Sequence, residues 1–376
     1  MNPMQHVLAL NLGSATLKTM HYAWRRVGGS DELIQHGDRF EMNVRTGDGA
    51  DEGETALLER VAAALPAQAI PPDVVAYRIV HGGSFTGPAL VTDDVLNELS
   101  AYSQMDPLHQ PAALRLVEAS RQRWPAARHV AVFDTTWHQS LADWSRRLPI
   151  PQALHDAGIK RYGFHGLAFQ SAIRKLRALD ETTDRQRIVL AHLGSGCSLC
   201  AVHQGRSVDT TMGLTPLDGL PMATRSGALD PGVLLFLAHE MKFSTEDIER
   251  MLWREGGLLA ISGRSGDMRK LLDAPDARSR LAVDQFVMRV AQGVASMATA
   301  IGGIDALVFS GGIGANAPAI RQSIVDLLSW AGVRVHEEHN LAGETRIDAR
   351  DSSVKIWRLR VEEEYELALA ALPRDS

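Results

Sequence analysis

The sequence predicts an α/β fold built twice, as two lobes facing one another across a cleft. Three observations predict it. Strand-like apolar runs alternate with segments of helical period along the 376 residues. A strand running into Leu-Gly-Ser occurs twice, in Val7-Leu8-Ala9-Leu10-Asn11-Leu12-Gly13-Ser14 and in Val189-Leu190-Ala191-His192-Leu193-Gly194-Ser195. A buried-looking strand running into Gly-Gly also occurs twice, in Tyr77-Arg78-Ile79-Val80-His81-Gly82-Gly83 and in Leu307-Val308-Phe309-Ser310-Gly311-Gly312. Two long-period copies indicate a duplicated domain rather than a solenoid, and a nucleotide held between halves suits such a geometry.

Each element has a local reason. Residues 7–25 read as a hairpin about the first glycine turn. Residues 26–53 are polar and glycine-rich, a connector or exposed strands with Phe40 and Met42 as core contacts. Residues 54–65 have helical period, broken by Pro66, Pro71 and Pro72. A strand over 73–81 leads to the first Gly-Gly. A helix from Asp93 to Tyr102 has acidic residues in its first turn. The loop 106–111 separates it from a helix over 112–123, and a strand over 129–133 ends at Asp134.

Residues 149–158 form a proline-containing passage that reads as a crossing between lobes. A helix over 168–178 follows the YGFHG stretch. The second hairpin pairs 189–193 with 198–202. Helical patterns follow at 233–241, 245–254, 268–273 and 282–301. A strand over 307–309 enters the second Gly-Gly turn, then a helix covers 317–330. Strands at 332–336 and 354–361 and a helix over 364–372 close the chain.

Composition bounds the function. Hydrophobic residues are 45% and charged residues 22%, enough for a proper core. The net charge of -6 argues against a general nucleic-acid or membrane-surface binder. The N-terminus enters a strand-like segment without a basic-apolar-small signal pattern, and the longest apolar runs are too short for a bilayer, so a cytoplasmic protein is expected. The two cysteines, Cys197 and Cys200, lie between strands and lack further zinc ligands, so they read as small buried thiols.

The turn over 192–196 is the chemical centre of the sequence. Glycines at 194 and 196 let backbone N–H groups approach an anion. The clusters Thr210-Thr211-Met212-Gly213 and Ala223-Thr224-Arg225-Ser226-Gly227 add hydroxyls and a guanidinium, as a phosphoryl group requires. A P-loop is absent, so the paired glycine turns handle any phosphate. Asp134 ends a strand, where α/β sheets bind ligands; it reads either as a carboxylate beside a metal or reacting group or as a helix N-cap. His165, between aromatic and glycine neighbours, reads as a donor to a phosphoryl group or as a structural histidine. Arg78 and Arg225 are candidate anion clamps. Asn11 is a candidate magnesium ligand. Glu362, Glu363 and Glu364 suit a helix N-terminus.

Taken together these segments resemble the acetate kinase family. The match runs in order through Asn11 to Lys18, Arg78 to Gly83, Pro107-Leu108-His109, Phe133 to Gln139, Arg161 to Gly166, His192 to Gly196, Ser207 to Gly213, Thr215 to Leu220, Thr224 to Gly227, Asp230-Pro231, Ile261 to Gly263, Asp267 to Arg269 and Ser310 to Asn316. The resemblance implies a duplicated ribonuclease H-like fold of the actin, Hsp70 and sugar kinase type. It implies a first lobe of 1–147 plus 363–376 on the substrate and metal side, and a nucleotide-binding lobe of 148–362. It implies reversible phosphorylation of a short carboxylic acid by ATP with magnesium, or manganese, to give an acyl phosphate and ADP. The partners are then the acid, ATP and a second copy in a homodimer.

By the same resemblance, Asn11 and Glu364 would bind the metal, with Glu363 the alternative register, and Lys18 would lie near the phosphates. Arg78 would bind the carboxylate, and Asp134 would be the catalytic carboxylate. His165 and Arg225 would stabilise the transition state. His192, Leu193, Gly194, Ser195 and Gly196 would cradle phosphate. Asp267, Met268 and Arg269, with Gly312, Ile313, Gly314, Ala315 and Asn316, would hold adenosine. Val80, Leu108, Phe164 and Pro216 would line an apolar pocket for the methyl group. The chain departs from the family pattern at Ser195, Ala315, Phe169, Ala228 and Ala223, which bears on nucleotide preference, rate and acyl group. Propionate or a longer acid is the runner-up substrate, and a nucleotide-binding protein without transferase activity is the reading from another class.

Overall fold

The computed structural model describes residues 4–13, 16–27, 30–43, 54–64 and 71–373. The chain divides into two compact units. The first comprises Met1–Thr136, Gly166–Ser171 and Glu362–Ser376; the second comprises Trp137–His165 and Ala172–Val361. The predicted turn residues Ser14 and Ala15 lie outside the described residues.

The first unit is built on strands β1 (Gln5–Leu12), β2 (Thr16–Val27), β3 (Ser30–Gln35), β4 (Phe40–Asn43), β5 (Val74–Ile79), β6 (Ala89–Leu90) and β7 (Arg128–Phe133). Their order is β3-β2-β1-β5-β7-β6, with β4 pairing β2. β1, β2 and β3 form an antiparallel meander, and β5 and β7 extend it in parallel from β1. β1 is apolar on both faces because helices cover both. Leu8, Leu10 and Leu12 pack with Leu57, Leu58 and Val61 of the helix Glu54–Ala64. Val7 and Ala9 pack with Leu367, Ala368 and Ala371 of the terminal helix Glu363–Ala371. Met42 and Phe40 join the first of these cores, as expected.

The second unit repeats the plan with β8 (Arg187–Leu193), β9 (Cys197–His203), β10 (Arg206–Thr210), β11 (Ala306–Ser310) and β12 (Lys355–Arg358). Their order is β10-β9-β8-β11-β12. Again three strands form an antiparallel meander, and two extend it in parallel. The sequence echoes fall at equivalent places. Leu12 and Leu193 each end the strand at the centre of the sheet, and each Gly-Gly follows the next strand in parallel. The helix Ala277–Ala300 lies over β9: a methyl group at Gly293 would stand 2.5 Å from the Leu199 side chain.

Several expectations need correction. The stretch 332–336 is no strand; only an isolated bridge joins Val335 to Asp348, and a helix follows at Glu337–Ala342. The second Gly-Gly opens a helix, Gly311–Asn316, rather than a turn. The long helix starts at Ala277, capped by the Asp276 carboxylate on the Ser279 N–H, not at Ala282. A helix at Gly257–Ser262 and strand β10 went unpredicted. The passage 149–158 lies within the second unit and holds a short helix, Gln152–Asp156. Cys197 and Cys200 are buried and free, as expected, and burial pushes both thiols up to about 12. Among the described residues no helix is long and apolar enough to cross a membrane.

Candidate functional site

In the first unit, parallel register sets one side chain of the site beside the next. Leu10 pairs with Tyr77, and Arg78 pairs with Val132. Asn11, Arg78 and Asp134 therefore leave three adjacent strands at their carboxyl ends, the position at which α/β sheets bind ligands. Arg78 donates from Nε (3.0 Å) and Nη2 (2.6 Å) to Oδ2 of Asp134. Its Nη1 donates to Oδ1 of Asn11 at 3.3 Å. Asn11 Nδ2 donates onward to Glu363 Oε2 at 3.1 Å and Glu364 Oε1 at 2.9 Å. Arg39 closes the line on Glu364 at 3.2 Å.

The network is buried: the Asp134 side chain is 1% exposed and that of Arg78 13%. Burial pushes the Asp134 carboxyl above its usual range, even though Arg78 pulls it down. For Arg78, burial acts downward, but the charges of Asp134 and Glu363 outweigh it and hold the guanidinium above its ordinary value. Asp134 is not an N-cap. Its backbone carbonyl accepts from the Gly166 N–H at 3.0 Å, and its carboxylate is held by Arg78.

At the last helix, Glu363 and Glu364 both accept from the Asn11 Nδ2. Two carboxylates are hard donors of the kind magnesium prefers, and magnesium commonly uses one or two carboxylates with waters and phosphate; the Asn11 amide turns its nitrogen to them and its oxygen to Arg78. Among the described residues no group of three or more His, Cys, Asp or Glu could hold a metal ion. Lys18 stands opposite Asn11 across the β1–β2 hairpin. Val80 is buried and Leu108 half-buried in this unit. Beside Leu108, the His109 Nδ1 and Asp106 Oδ1 lie 2.8 Å apart in a buried pair that the sequence reading left unassigned.

In the second unit, the β8–β9 turn brings together most of the predicted phosphate residues. The turn closes with the Gly194 N–H donating to the Gly196 carbonyl at 3.0 Å. A methyl group on Gly196 would stand 3.2 Å from His165 Nε2 and 3.7 Å from an Arg225 Nη2. Imidazole and guanidinium therefore converge on a notch beside Gly196, where a methyl group would crowd the imidazole. The His165 Nδ1 pairs with Ser198 Oγ at 2.8 Å, and its ring lies 4.9 Å from that of His192. His192 Nδ1 is 3.2 Å from Ser310 Oγ. Arg225 is buried, donates to the Pro216 carbonyl at 2.9 Å and lies 5.7 Å over the Trp253 ring. Leu193, Phe164 and Pro216 are buried, and Ser195 is exposed.

The hydroxyls in the two polar clusters do a different job from the one the sequence suggests. Thr210 Oγ1 donates to the Leu199 carbonyl at 2.8 Å, and Thr211 Oγ1 accepts from the Leu199 N–H at 3.0 Å. Thr224 Oγ1 donates to the Trp253 carbonyl, and Ser226 Oγ to the Gly227 carbonyl. These groups satisfy nearby backbone.

The parallel pairing of Ser310 with His192 sets the helix Gly311–Asn316 beside this turn. The Gly312 nitrogen lies 3.7 Å from where a Gly194 methyl would sit. Gly314 and Ala315 are buried, and Asn316 Nδ2 donates to the Gly312 carbonyl. Arg321, unmarked in the sequence, is 1% exposed beneath this helix. It donates to the Gly314 carbonyl (2.9 Å), Asn340 Oδ1 (2.7 Å) and the Asn340 carbonyl (2.9 Å). These acceptors are neutral, and burial lowers its pKa to about 10. Asp267 caps the helix Met268–Leu272 through the Arg269 N–H and is clasped by the Arg269 guanidinium at 2.8 Å; Met268 is buried.

Comparison with known proteins finds matches over most of the chain. The model of the acetokinase family matches residues 7–369. A protein of Rhodopseudomonas palustris (strain TIE-1) named acetate kinase is 37% identical over 385 residues, covering 96% of each chain. A propionate kinase structure from Francisella tularensis superposes with a TM-score of 0.83 at 30% identity, covering 98% of this chain and 99% of that one. The acetate kinase structure of Porphyromonas gingivalis gives 0.81 at 28% identity, covering 98% of both.

Proposed function

The chain belongs to the acetokinase family, and from that premise we propose that it transfers the γ-phosphoryl group of ATP to the carboxylate of acetate, reversibly, giving acetyl phosphate and ADP. The single observation that carries the reading is the buried line Asp134–Arg78–Asn11–Glu363/Glu364. It joins an anion-binding guanidinium to hard metal donors at the carboxyl end of a parallel sheet. A protein that only bound nucleotide would have no use for that arrangement.

The roles follow from the chemistry. The acid is already ionised at neutral pH, so no strong base is needed. In-line phosphoryl transfer needs positioning and neutralisation of charge on the equatorial oxygens. Arg78 binds and orients the substrate carboxylate. Asp134 fixes the Arg78 guanidinium and orders the donors beside it. Asn11, Glu363 and Glu364 would hold magnesium, which supplies charge neutralisation on the phosphates when bound; Lys18 stands beside Asn11 as a phosphate ligand. In the second unit, His165 Nε2 and Arg225 stabilise the transferring group at the Gly196 notch. His192, Leu193, Gly194, Ser195 and Gly196 cradle phosphate. Gly312, Ile313, Gly314, Ala315 and Asn316, with Asp267, Met268 and Arg269, hold adenosine. Val80 and Leu108, both in the first unit, would exclude water from the methyl group.

Propionate is the second reading, favoured by the likeness to the propionate kinase structure. One extra methylene changes binding by only about 0.8 kcal/mol, so the two acids are expected to differ modestly. We assign the enzyme to the cytoplasm, where ATP and short acids meet, and to a homodimer. The helix Pro231–His239 buries none of its residues, with Leu235 60% and Phe236 56% exposed; such an apolar surface suits a second copy of the chain. Hydroxamate trapping of acyl phosphate with ATP and magnesium tests the function, comparing acetate, propionate and butyrate at matched concentrations. Product with a short acid is expected. Bound ATP without product from any acid overturns the reading.

A further inference from the structure

His138, carried by the Phe133-Asp134-Thr135-Thr136-Trp137-His138 stretch, has no role in the reaction described above, yet both its ring nitrogens are held by partners. The ring is 0% exposed. Its Nε2 lies 3.0 Å from the carbonyl oxygen of Phe164. A carbonyl only accepts, so Nε2 carries the proton. Its Nδ1 lies 2.8 Å from Ser207 Oγ, which donates to the unprotonated nitrogen. Ser207 Oγ in turn lies 3.3 Å from Cys200 Sγ. Cys200, Ser207 and Phe164 are all at most 1% exposed.

The carbonyl that His138 holds belongs to the peptide that enters His165. His165 has φ +60° and ψ 27°, left-handed backbone that a residue with a Cβ rarely adopts. That conformation is disfavoured by the Cβ and persists only where the surroundings impose it. Two anchors impose it here. His138 fixes the plane of the Phe164–His165 peptide, and Ser198 holds the His165 Nδ1. Gly163 makes room for the first anchor. At φ +76°, any side chain there would stand 2.5 Å from the His138 ring.

We propose that His138 is a positioning residue for phosphoryl transfer, clamping the Phe164–His165 peptide so that His165 Nε2 stays aimed with Arg225 at the notch over Gly196. The inference rests on the reading of His165 as a transition-state ligand. His138 itself touches neither substrate nor nucleotide in this role. A merely structural histidine would affect folding and leave the coupling to His165 at zero.

A double-mutant cycle on turnover separates these cases. The variants are His138→Phe, His138→Gln, His165→Ala and His138→Phe/His165→Ala, each assayed for kcat and for KM of acetate and ATP. His138→Phe keeps the volume and loses the donor, so kcat is expected to fall about 10- to 100-fold, with both KM values within about twofold, because small misplacements of a catalytic group cost factors of this order. His138→Gln retains an N–H donor in reach of Phe164 and is expected to recover most of the loss. With His165→Ala already present, His138→Phe is expected to change kcat less than about twofold. An equal loss with and without His165 overturns the proposal, as does unchanged kcat in His138→Phe. Turnover of His165→Ala at the wild-type rate overturns the reading of His165, and the proposal with it. If His138→Phe does not fold, Ser207→Ala with and without His165→Ala makes the same comparison.

Discussion

Replacing Arg78 by methionine is expected to damage stability more than replacing its partner Asp134 by asparagine. The reason is the difference in what each change leaves behind. Arg78→Met strands a carboxylate that is 1% exposed and that receives two N–H groups from Arg78 at 2.6 and 3.0 Å. Breaking a buried pair in this way costs about 3–5 kcal/mol, because the remaining charge is uncompensated. Asp134→Asn leaves Arg78 with Asn11 at 3.3 Å and the charge of Glu363 nearby, a loss of about 1–2 kcal/mol. The double variant buries no charge at Asp134, so it is expected near the Asp134→Asn value, with a coupling of about 3–5 kcal/mol, the whole of the Arg78→Met loss.

The same reasoning fixes a pH dependence. Asp134 is already pushed above its usual range by burial, and losing Arg78 pushes it further. Between the unfolded and folded values the folded protein holds the extra proton, so stability of Arg78→Met rises as pH falls through that window. The gap to wild type therefore narrows on acidification. Urea unfolding followed by far-ultraviolet circular dichroism at pH 7 and pH 5 measures this; with an m of about 3 kcal/mol/M, Arg78→Met shifts the midpoint by about 1–1.7 M at pH 7. Equal and additive losses in the two single variants, unchanged by pH, would refute the reasoning.

Gly196→Ala places a methyl 3.2 Å from His165 Nε2 and is expected to lower kcat at least about tenfold, with a thermal midpoint within a few degrees of wild type by calorimetry. Acidification is expected to destabilise the wild-type protein between pH 6.5 and 4. Burial lowers His138 to about 4, and burial with the neighbouring His6 and His36 lowers His21 to about 4. The unfolded chain takes up those protons first, at a cost of up to about 3 kcal/mol for fully buried His138, readable as a falling urea midpoint. Glu363→Gln and Glu364→Gln are both expected to raise the magnesium concentration for half-maximal rate, and a variant that leaves it unchanged removes that residue from the metal set. Phe236→Asp is expected to yield monomer in sedimentation velocity, against dimer for wild type.

The duplicated fold was legible because it depends on local pattern. Leu12-Gly13 and Leu193-Gly194 mark the same strand end in each sheet, and period-two and helical patterns located most elements. The stretch 332–336 misled because Val333 and Val335 have strand-like chemistry, while only Val335 finds a bridging partner. The sequence marks Arg78, Asp134 and His165 as candidates, and the structure sets Arg78 on Asp134 and His165 beside Gly196. The site was not legible where long-range partners decide. Thr210 and Thr211 look like phosphate ligands until Leu199 claims both hydroxyls. His138 looks idle until Phe164 and Ser207 close on it from 26 and 69 residues away. Arg321 looks like a surface charge, and the fold buries it beneath Gly314. The pairing of Glu363 with Glu364 on one asparagine depends on where a helix 352 residues from Asn11 begins.

The central claim is that an oxygen of the acid attacks the γ-phosphorus, and following that oxygen tests it most directly. Acetate labelled with ¹⁸O in both oxygens is incubated with ATP, magnesium and enzyme, and the product is cleaved by hydroxylamine at its carbonyl carbon. Phosphorus NMR of the released phosphate is expected to show one ¹⁸O per phosphate, with the signal lost in Asp134→Asn. Release of unlabelled phosphate alone, or no phosphate transfer at all, would contradict the account.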